Sequence, residues 1–164
     1  MKELATRIAR LSAVKTEAAK RRLIPLLKEW LAANDGDTAA WYRLACCYDF
    51  LGRERLAEPC YARVYADWRA LPAAARPGFF VGYGSTLRNN GRLALSCRVL
   101  KEGARLFPDN PELKAFLALS LHSSRDYRGA ARALFGACAQ MPVGAFGGYE
   151  RALGHYVARI LRAR

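Results

Sequence analysis

Apolar residues recur along the chain with the spacing of amphipathic helices. Near the N-terminus, Leu4, Ile8, Leu11 and Val14 are three or four positions apart, which predicts a helix with one buried face. A similar stripe near the C-terminus predicts a further helix, and its residues are Tyr149, Leu153, Tyr156, Val157, Ile160 and Leu161. The chain is therefore predicted to be all-α.

The middle of the chain has a more specific pattern. From Thr38 onward, large apolar residues and small residues alternate at fixed intervals, in the order Trp41, Leu44, Ala45, Tyr48, Ala57 and Tyr61. The small residue Ala45 stands where two helix backbones would cross closely, and the large ones fill the space around it. Gly52 falls between the two predicted helices, where glycine readily takes the left-handed conformation that ends a helix. This segment is predicted to be a helical hairpin.

The hairpin pattern repeats downstream. A second unit starting at Pro77 has Gly84 at the small position, and a third unit starts at Pro111. The prolines that close these two units, Pro108 and Pro142, are separated by the same interval as the two starts. A fixed period of this length indicates stacked helical hairpins.

The spacing resembles that of the tetratricopeptide repeat (TPR) family, in which W-x2-L-G-x2-Y is followed by A-x3-F. The run Gly84 to Gly91, Gly-Ser-Thr-Leu-Arg-Asn-Asn-Gly, resembles the G-S-S-L-R-N-x-G signature of a bacterial subfamily of small stand-alone TPR proteins, as do Phe107-Pro108 and Phe116 to Leu119. The resemblance implies a right-handed α-α superhelix. It also implies an interaction module without a reaction of its own.

The repeat period predicts a single domain over residues 1–164 with about four hairpins. Its parts are a degenerate leading unit at 4–37, units at 38–71, 77–110 and 111–144, and a capping helix at 145–164. The interval between the first two full units is longer than the regular period, so an extended connection is expected at 67–76. Pro25 and Pro59 are expected near the start of a second helix, where a missing N–H costs least.

In the family, the first helix of each unit lines a concave groove that binds peptides or partner helices. The positions that correspond to groove residues are Tyr42, Asp49, Phe50, Ser85, Arg88, Asn89 and His122. Asp49, Arg88 and His122 hold the same position in successive units, so stacking is expected to bring them close together. Either Asp49 satisfies Arg88 in an ion pair, or Arg88 and its neighbours offer donors to a carboxylate or an extended peptide. The other aromatic residues at helical spacing are expected in the core.

The excess of basic over acidic residues indicates an alternative kind of partner. The chain has 27 basic and 14 acidic residues and a formal net charge of +13, which attracts polyanions. No acidic residue occurs from Trp68 to Lys101, an interval with Arg69, Arg76, Arg88, Arg92 and Arg98. Association with nucleic acid is therefore the alternative to protein binding, and the other interpretation of these arginines is a solvated outer surface.

The sequence gives no reason to expect an enzyme, a cofactor or a metal site. The five cysteines form no C-x-x-C pair, and only His122 and His155 could assist them as zinc ligands. The glycine-rich segments lack the lysine of a phosphate-binding loop. No apolar run is long enough to cross a membrane, and the N-terminus lacks a signal-peptide core. We therefore expect a cytoplasmic interaction protein, with self-association through an exposed terminal face as an open question.

Overall fold

The computed structural model of the chain describes residues 2–140, 154–158 and 162. The first hairpin consists of α1 (Lys2–Ser12) and α2 (Glu17–Ala33), and the second of α3 (Thr38–Phe50) and α4 (Glu54–Ala66). The next two are α5 (Arg76–Asn89) with α6 (Leu93–Leu106), and α7 (Pro111–Ser123) with α8 (Tyr127–Cys138). From α1 to α8, each helix packs against the one that follows it. The fold is all-α, as predicted, and built of adjacent helical hairpins.

The turns within the hairpins adopt the left-handed backbone expected from their glycines. Gly52 has a φ of 64° and Gly91 a φ of 77°. In the last hairpin Arg125 occupies the same place with a φ of 66°, a conformation that costs a residue with a Cβ about 1–2 kcal/mol. Asp126 accepts a hydrogen bond from the backbone N–H of Gly129 at 2.8 Å and so caps the helix that follows.

The longer connection between α4 and α5 contains two short 3₁₀ turns, Trp68–Ala70 and Ala73–Ala75. Trp68 and Leu71 are buried, and the Trp68 ring packs edge-on against Phe80 with centroids 5.1 Å apart. The Arg76 side chain donates to the carbonyl of Leu71 at 2.9 Å and to that of Arg69 at 2.7 Å. These contacts fix the connection against the start of α5.

Two details of the leading hairpin differ from expectation. Helix α1 ends at Ser12, so Val14 lies beyond it and is 41% exposed. Helix α2 begins at Glu17, which places Pro25 in its interior and not near its start. Pro59 likewise lies inside α4. Pro25 is exposed, so its ring faces water and does not disturb the core.

The predicted capping helix falls mostly outside the described residues. Within it, residues 154–158 are helical and Val157 is buried. The division of the chain into units of fixed register stays a prediction.

Candidate functional site

Helices α3, α5 and α7 form the inner layer of the stack. Helix α5 contacts both α3 and α7 directly, whereas α2, α4, α6 and α8 have no comparable contact with one another in the described part of the chain. Helices that approach more closely lie on the inside of a curved stack. The predicted groove would therefore lie on the face of α3, α5 and α7 that is turned away from the second helices.

Several predicted groove residues are accessible on these helices. Phe50 at the end of α3 is 55% exposed, and Asn89 at the end of α5 is exposed. On α7, His122 is exposed and lies almost one turn after Leu119, which is 49% exposed. The His122 ring meets the Tyr127 ring edge-on at 5.2 Å. The groove therefore offers apolar surface beside polar groups.

Arg88 is the most unusual of the predicted residues. Within residues 2–140 its guanidinium forms no hydrogen bond and no ion pair, and its Nε is buried without an acceptor. A buried donor without a partner typically costs about 1–3 kcal/mol. Arginine presents five N–H donors in a rigid fork that matches carboxylates and backbone carbonyls. The side chain is therefore suited to bind an acceptor that the described residues do not supply.

The expected Asp49–Arg88 ion pair is not formed. The Asp49 carboxylate instead accepts hydrogen bonds from the Tyr61 hydroxyl and the Thr86 hydroxyl, both at 3.2 Å. Burial raises the pKa of Asp49, and these two hydrogen bonds oppose the rise. Thr86 lies two positions before Arg88 on α5. Its hydroxyl is next to the Asp49 carboxylate, where the repeat spacing predicted the Arg88 guanidinium.

Tyr42 belongs to the packing between hairpins more than to an open surface. Its ring centroid lies 6.0 Å from that of Phe79 and 6.3 Å from that of Tyr61. Burial raises the pKa of Tyr42, and the neighbouring Cys46 raises it further. Ser85, one position before Thr86, is half-buried.

The asparagines of the Gly84 to Gly91 run join consecutive hairpins. Asn89 donates to the Glu54 carboxylate at 3.3 Å. Asn90 donates to the Glu58 carboxylate at 2.7 Å and to the backbone carbonyl of Glu54 at 3.1 Å. Arg92 also donates to Glu58, at 3.2 Å. This part of the run therefore holds the hairpin units together, and Asn89 serves the fold as well as the groove face.

Sequence reasoning missed the acidic partners of these asparagines. Glu58 lies within α4, whereas Arg92 lies between α5 and α6, so the two residues are not at equivalent positions of their hairpins. Their pairing depends on how the two hairpins are offset, which the repeat pattern does not specify.

The cysteines are packing residues in the described part of the chain. All five are free thiols, and Cys47, Cys60 and Cys97 are buried. Burial raises the pKa of Cys47 and of Cys60 to about 11, so both are protonated at neutral pH. No group of His, Cys, Asp and Glu side chains among the described residues could hold a metal ion.

Comparison with known proteins agrees with the geometry. In the part of the chain that the structure describes, no helix is both long enough and apolar enough to span a bilayer. None of the curated proteins compared with the chain matches it. A family model described as "Tetratrico peptide repeat" matches residues 38–160, which is about three quarters of the chain. The chain belongs to the tetratricopeptide repeat family, whose members are helical-repeat modules that generally mediate protein–protein interactions.

Proposed function

We propose that the chain is a cytoplasmic scaffold that holds an extended peptide or a partner helix in the groove of α3, α5 and α7. The observation that carries this proposal is the Arg88 guanidinium, which has a buried Nε and no acceptor within residues 2–140. A peptide carboxylate or backbone carbonyl would supply the missing acceptor. Catalysis is not part of the proposal, because the family is typically a non-catalytic scaffold.

The surroundings of Arg88 suit a peptide. Phe50 and Leu119 expose about half of their surface on the two helices that flank α5, and exposed apolar side chains gain free energy when a partner covers them. His122 adds a polar group beside Leu119. The other candidate residues take part in contacts within and between the hairpins and would define the shape of the groove. They are Tyr42, Asp49, Ser85 and Asn89.

The contacts of the basic residues favour nucleic acid less than a peptide as the partner. Among the basic residues between Trp68 and Lys101, Arg92 is paired with Glu58, Arg76 is bound to two carbonyls, and Arg69 stacks on the Trp68 ring. Guanidiniums in such contacts are less free to neutralise phosphates. A salt titration with RNA and DNA tests the alternative directly, because phosphate binding weakens steeply with salt.

The proposal can be tested without a known partner by selecting peptides from a displayed random library on the full chain. We expect the selected peptides to bind Arg88→Gln about ten- to a hundredfold more weakly, as for a lost hydrogen bond between charged groups. Phe50→Ala should weaken them as well. Arg98→Gln on α6 is the matched control, since it removes the same charge from an exposed residue outside the groove.

Two results would contradict the proposal. One is that the library yields no binding peptide. The other is that the selected peptides bind Arg88→Gln as tightly as the unchanged chain, while circular dichroism shows that both are equally folded.

A further inference from the structure

A cluster of three arginines lies in the leading hairpin, away from the predicted groove. Arg7, Arg10 and Arg22 line a cleft of about 100 Å³ between α1 and α2, with Leu11 and Leu26 as its other lining residues. Arg7 and Arg10 are three positions apart on α1 and therefore share one helix face. Arg22 faces them from α2. Three guanidinium side chains thus surround one small space.

None of these arginines is neutralised within the described part of the chain. In residues 2–140, 154–158 and 162, Arg7, Arg10 and Arg22 form no ion pair and no hydrogen bond. Glu17, the nearest acidic residue along α2, is already paired with Arg21. Glu3 lies one turn before Arg7, but the two side chains do not come within ion-pair distance.

The residues that line the cleft give it a positive charge. Among the described residues, no acidic side chain lines it, and the two leucines provide no side-chain acceptor. Like charges at this spacing repel each other. An anion in the cleft would remove that repulsion and would accept several charge-assisted hydrogen bonds at once.

We propose that Arg7, Arg10 and Arg22 form a binding site for a single phosphate group in its dianionic form. The guanidinium fork matches the geometry of phosphate oxygens, and two negative charges compensate three positive ones better than a single carboxylate does. The volume equals roughly that of three water molecules, which suits one small oxyanion.

The arrangement favours a phosphate monoester or free phosphate over a nucleic-acid backbone. A backbone presents a row of singly charged phosphodiesters, and proteins that follow it use a row of cations. Here the three arginines line one small cleft. The group that binds is therefore one terminal phosphate. Free phosphate, a phosphorylated side chain and a nucleotide all carry such a group.

The site can be tested by titrating the full ¹⁵N-labelled chain with inorganic phosphate, O-phosphoserine and AMP at constant ionic strength. We expect saturable shifts of the amide signals of α1 and α2, and the ligand that saturates at the lowest concentration identifies the preferred source of the phosphate. Added sodium chloride should weaken the binding. Titration with sodium chloride alone should give no saturable shift.

Substitutions locate the site. Arg7→Gln/Arg10→Gln/Arg22→Gln should abolish the saturable shifts, and Arg10→Gln alone, which is the deciding variant if the triple variant does not fold, should weaken binding about two- to fivefold. Arg98→Gln/Lys101→Gln/Arg105→Gln on α6 removes the same total charge from exposed residues and should leave binding unchanged.

Three results would overturn the proposal. The first is a response to phosphate that does not exceed the response to chloride. The second is an equal loss of binding in the α6 variant. The third is saturable binding of a short oligonucleotide without a terminal phosphate, combined with no binding of the three monophosphate probes.

Discussion

Two of the junctions between consecutive hairpins, on either side of α5, are packed with different kinds of residue. At the first junction, where α3 and α4 meet α5, aromatic rings fill the space, namely Tyr42, Tyr61, Tyr65, Phe79, Phe80 and Tyr83. At the second junction, where α5 and α6 meet α7, small residues make close contacts, namely Ser96, Gly103 and Ser120. Helix α5 lies against α7 along more of its length than against α3.

The difference follows the spacing of the units in the sequence. The second junction joins hairpins whose first helices begin at Arg76 and Pro111, and the first joins hairpins whose first helices begin at Thr38 and Arg76, which are further apart in the sequence. A unit in the regular period can stack closely on its neighbour, so small residues are needed where backbones approach. Across the longer connection, α5 lies against α3 along less of its length, and large rings fill the space between the two hairpins. The longer connection therefore accompanies a different set of interface residues as well as a longer loop.

The largest effect is expected from removing a ring at the first junction. Phe79 is fully buried, and five other rings have centroids within 6.4 Å of its own. Phe79→Ala should lower the free energy of unfolding by about 3–5 kcal/mol, because it leaves a cavity among rigid neighbours. Urea denaturation measures the loss. Phe50→Ala, at an exposed position, should change stability by less than about 0.5 kcal/mol, and equal losses would contradict this account of the junction.

A smaller effect is expected from glycines that permit close approach. A Cβ on Gly82 would lie 2.5 Å from the Tyr61 hydroxyl at the first junction, and one on Gly103 would lie 2.8 Å from the Phe80 Cβ. Each substitution to Ala should cost about 1–3 kcal/mol. Tyr61→Phe removes the obstructing hydroxyl and should recover part of the Gly82→Ala loss.

The two glycines can be separated by double-mutant cycles. Gly82→Ala with Tyr61→Phe should show a coupling energy of about 1 kcal/mol, whereas Gly103→Ala with Tyr61→Phe should be additive. Additivity in both cycles would show that the tyrosine hydroxyl does not limit the approach of α5.

The second junction has a buried hydroxyl pair in place of rings. The Ser96 hydroxyl donates to the Gly84 carbonyl at 2.6 Å and lies 2.8 Å from the Ser120 hydroxyl. Ser120→Ala should therefore cost about 1 kcal/mol, the usual net value of one buried hydrogen bond. Ser123→Ala, at an exposed hydroxyl on the same helix, is the control in thermal denaturation. A loss no larger than that of the control would mean that the pair contributes nothing.

Much of the fold was accessible from the sequence because each repeat needs certain residues at fixed places. Small residues must stand where helices cross, and Gly52 and Gly91 must stand where the backbone turns left-handed. Each of these requirements concerns residues within one hairpin, so the required residues recur in the sequence at a regular spacing.

The candidate site was less predictable, because its contacts depend on how neighbouring units are offset. The repeat spacing predicted Arg88 next to Asp49, but the Thr86 hydroxyl holds that place across the longer connection between α4 and α5. Exposure alone was easier to predict, and Phe50 and His122 are accessible as the pattern suggested.

The smallest effect concerns the partly buried carboxylate that distinguishes the first junction from the second. Burial raises the pKa of Asp49 above its ordinary value, so the folded chain binds a proton more readily than the unfolded chain. The contribution of Asp49 to stability is therefore complete below the ordinary Asp pKa of about 4 and is lost as the pH rises through the folded-state pKa. Asp49→Asn mimics the protonated form and should be at least as stable as the unchanged chain at pH 7.

The advantage of Asp49→Asn should disappear as the pH falls below about 4, where the native carboxyl is itself neutral. Chemical denaturation at a series of pH values measures the difference between the two curves. Asp109→Asn changes the same charge at an exposed position, and its curve should follow that of the unchanged chain throughout. If Asp49→Asn is the less stable protein at pH 7, the hydrogen bonds from Tyr61 and Thr86 outweigh the cost of burial, and the carboxylate stabilises the first junction as an anion.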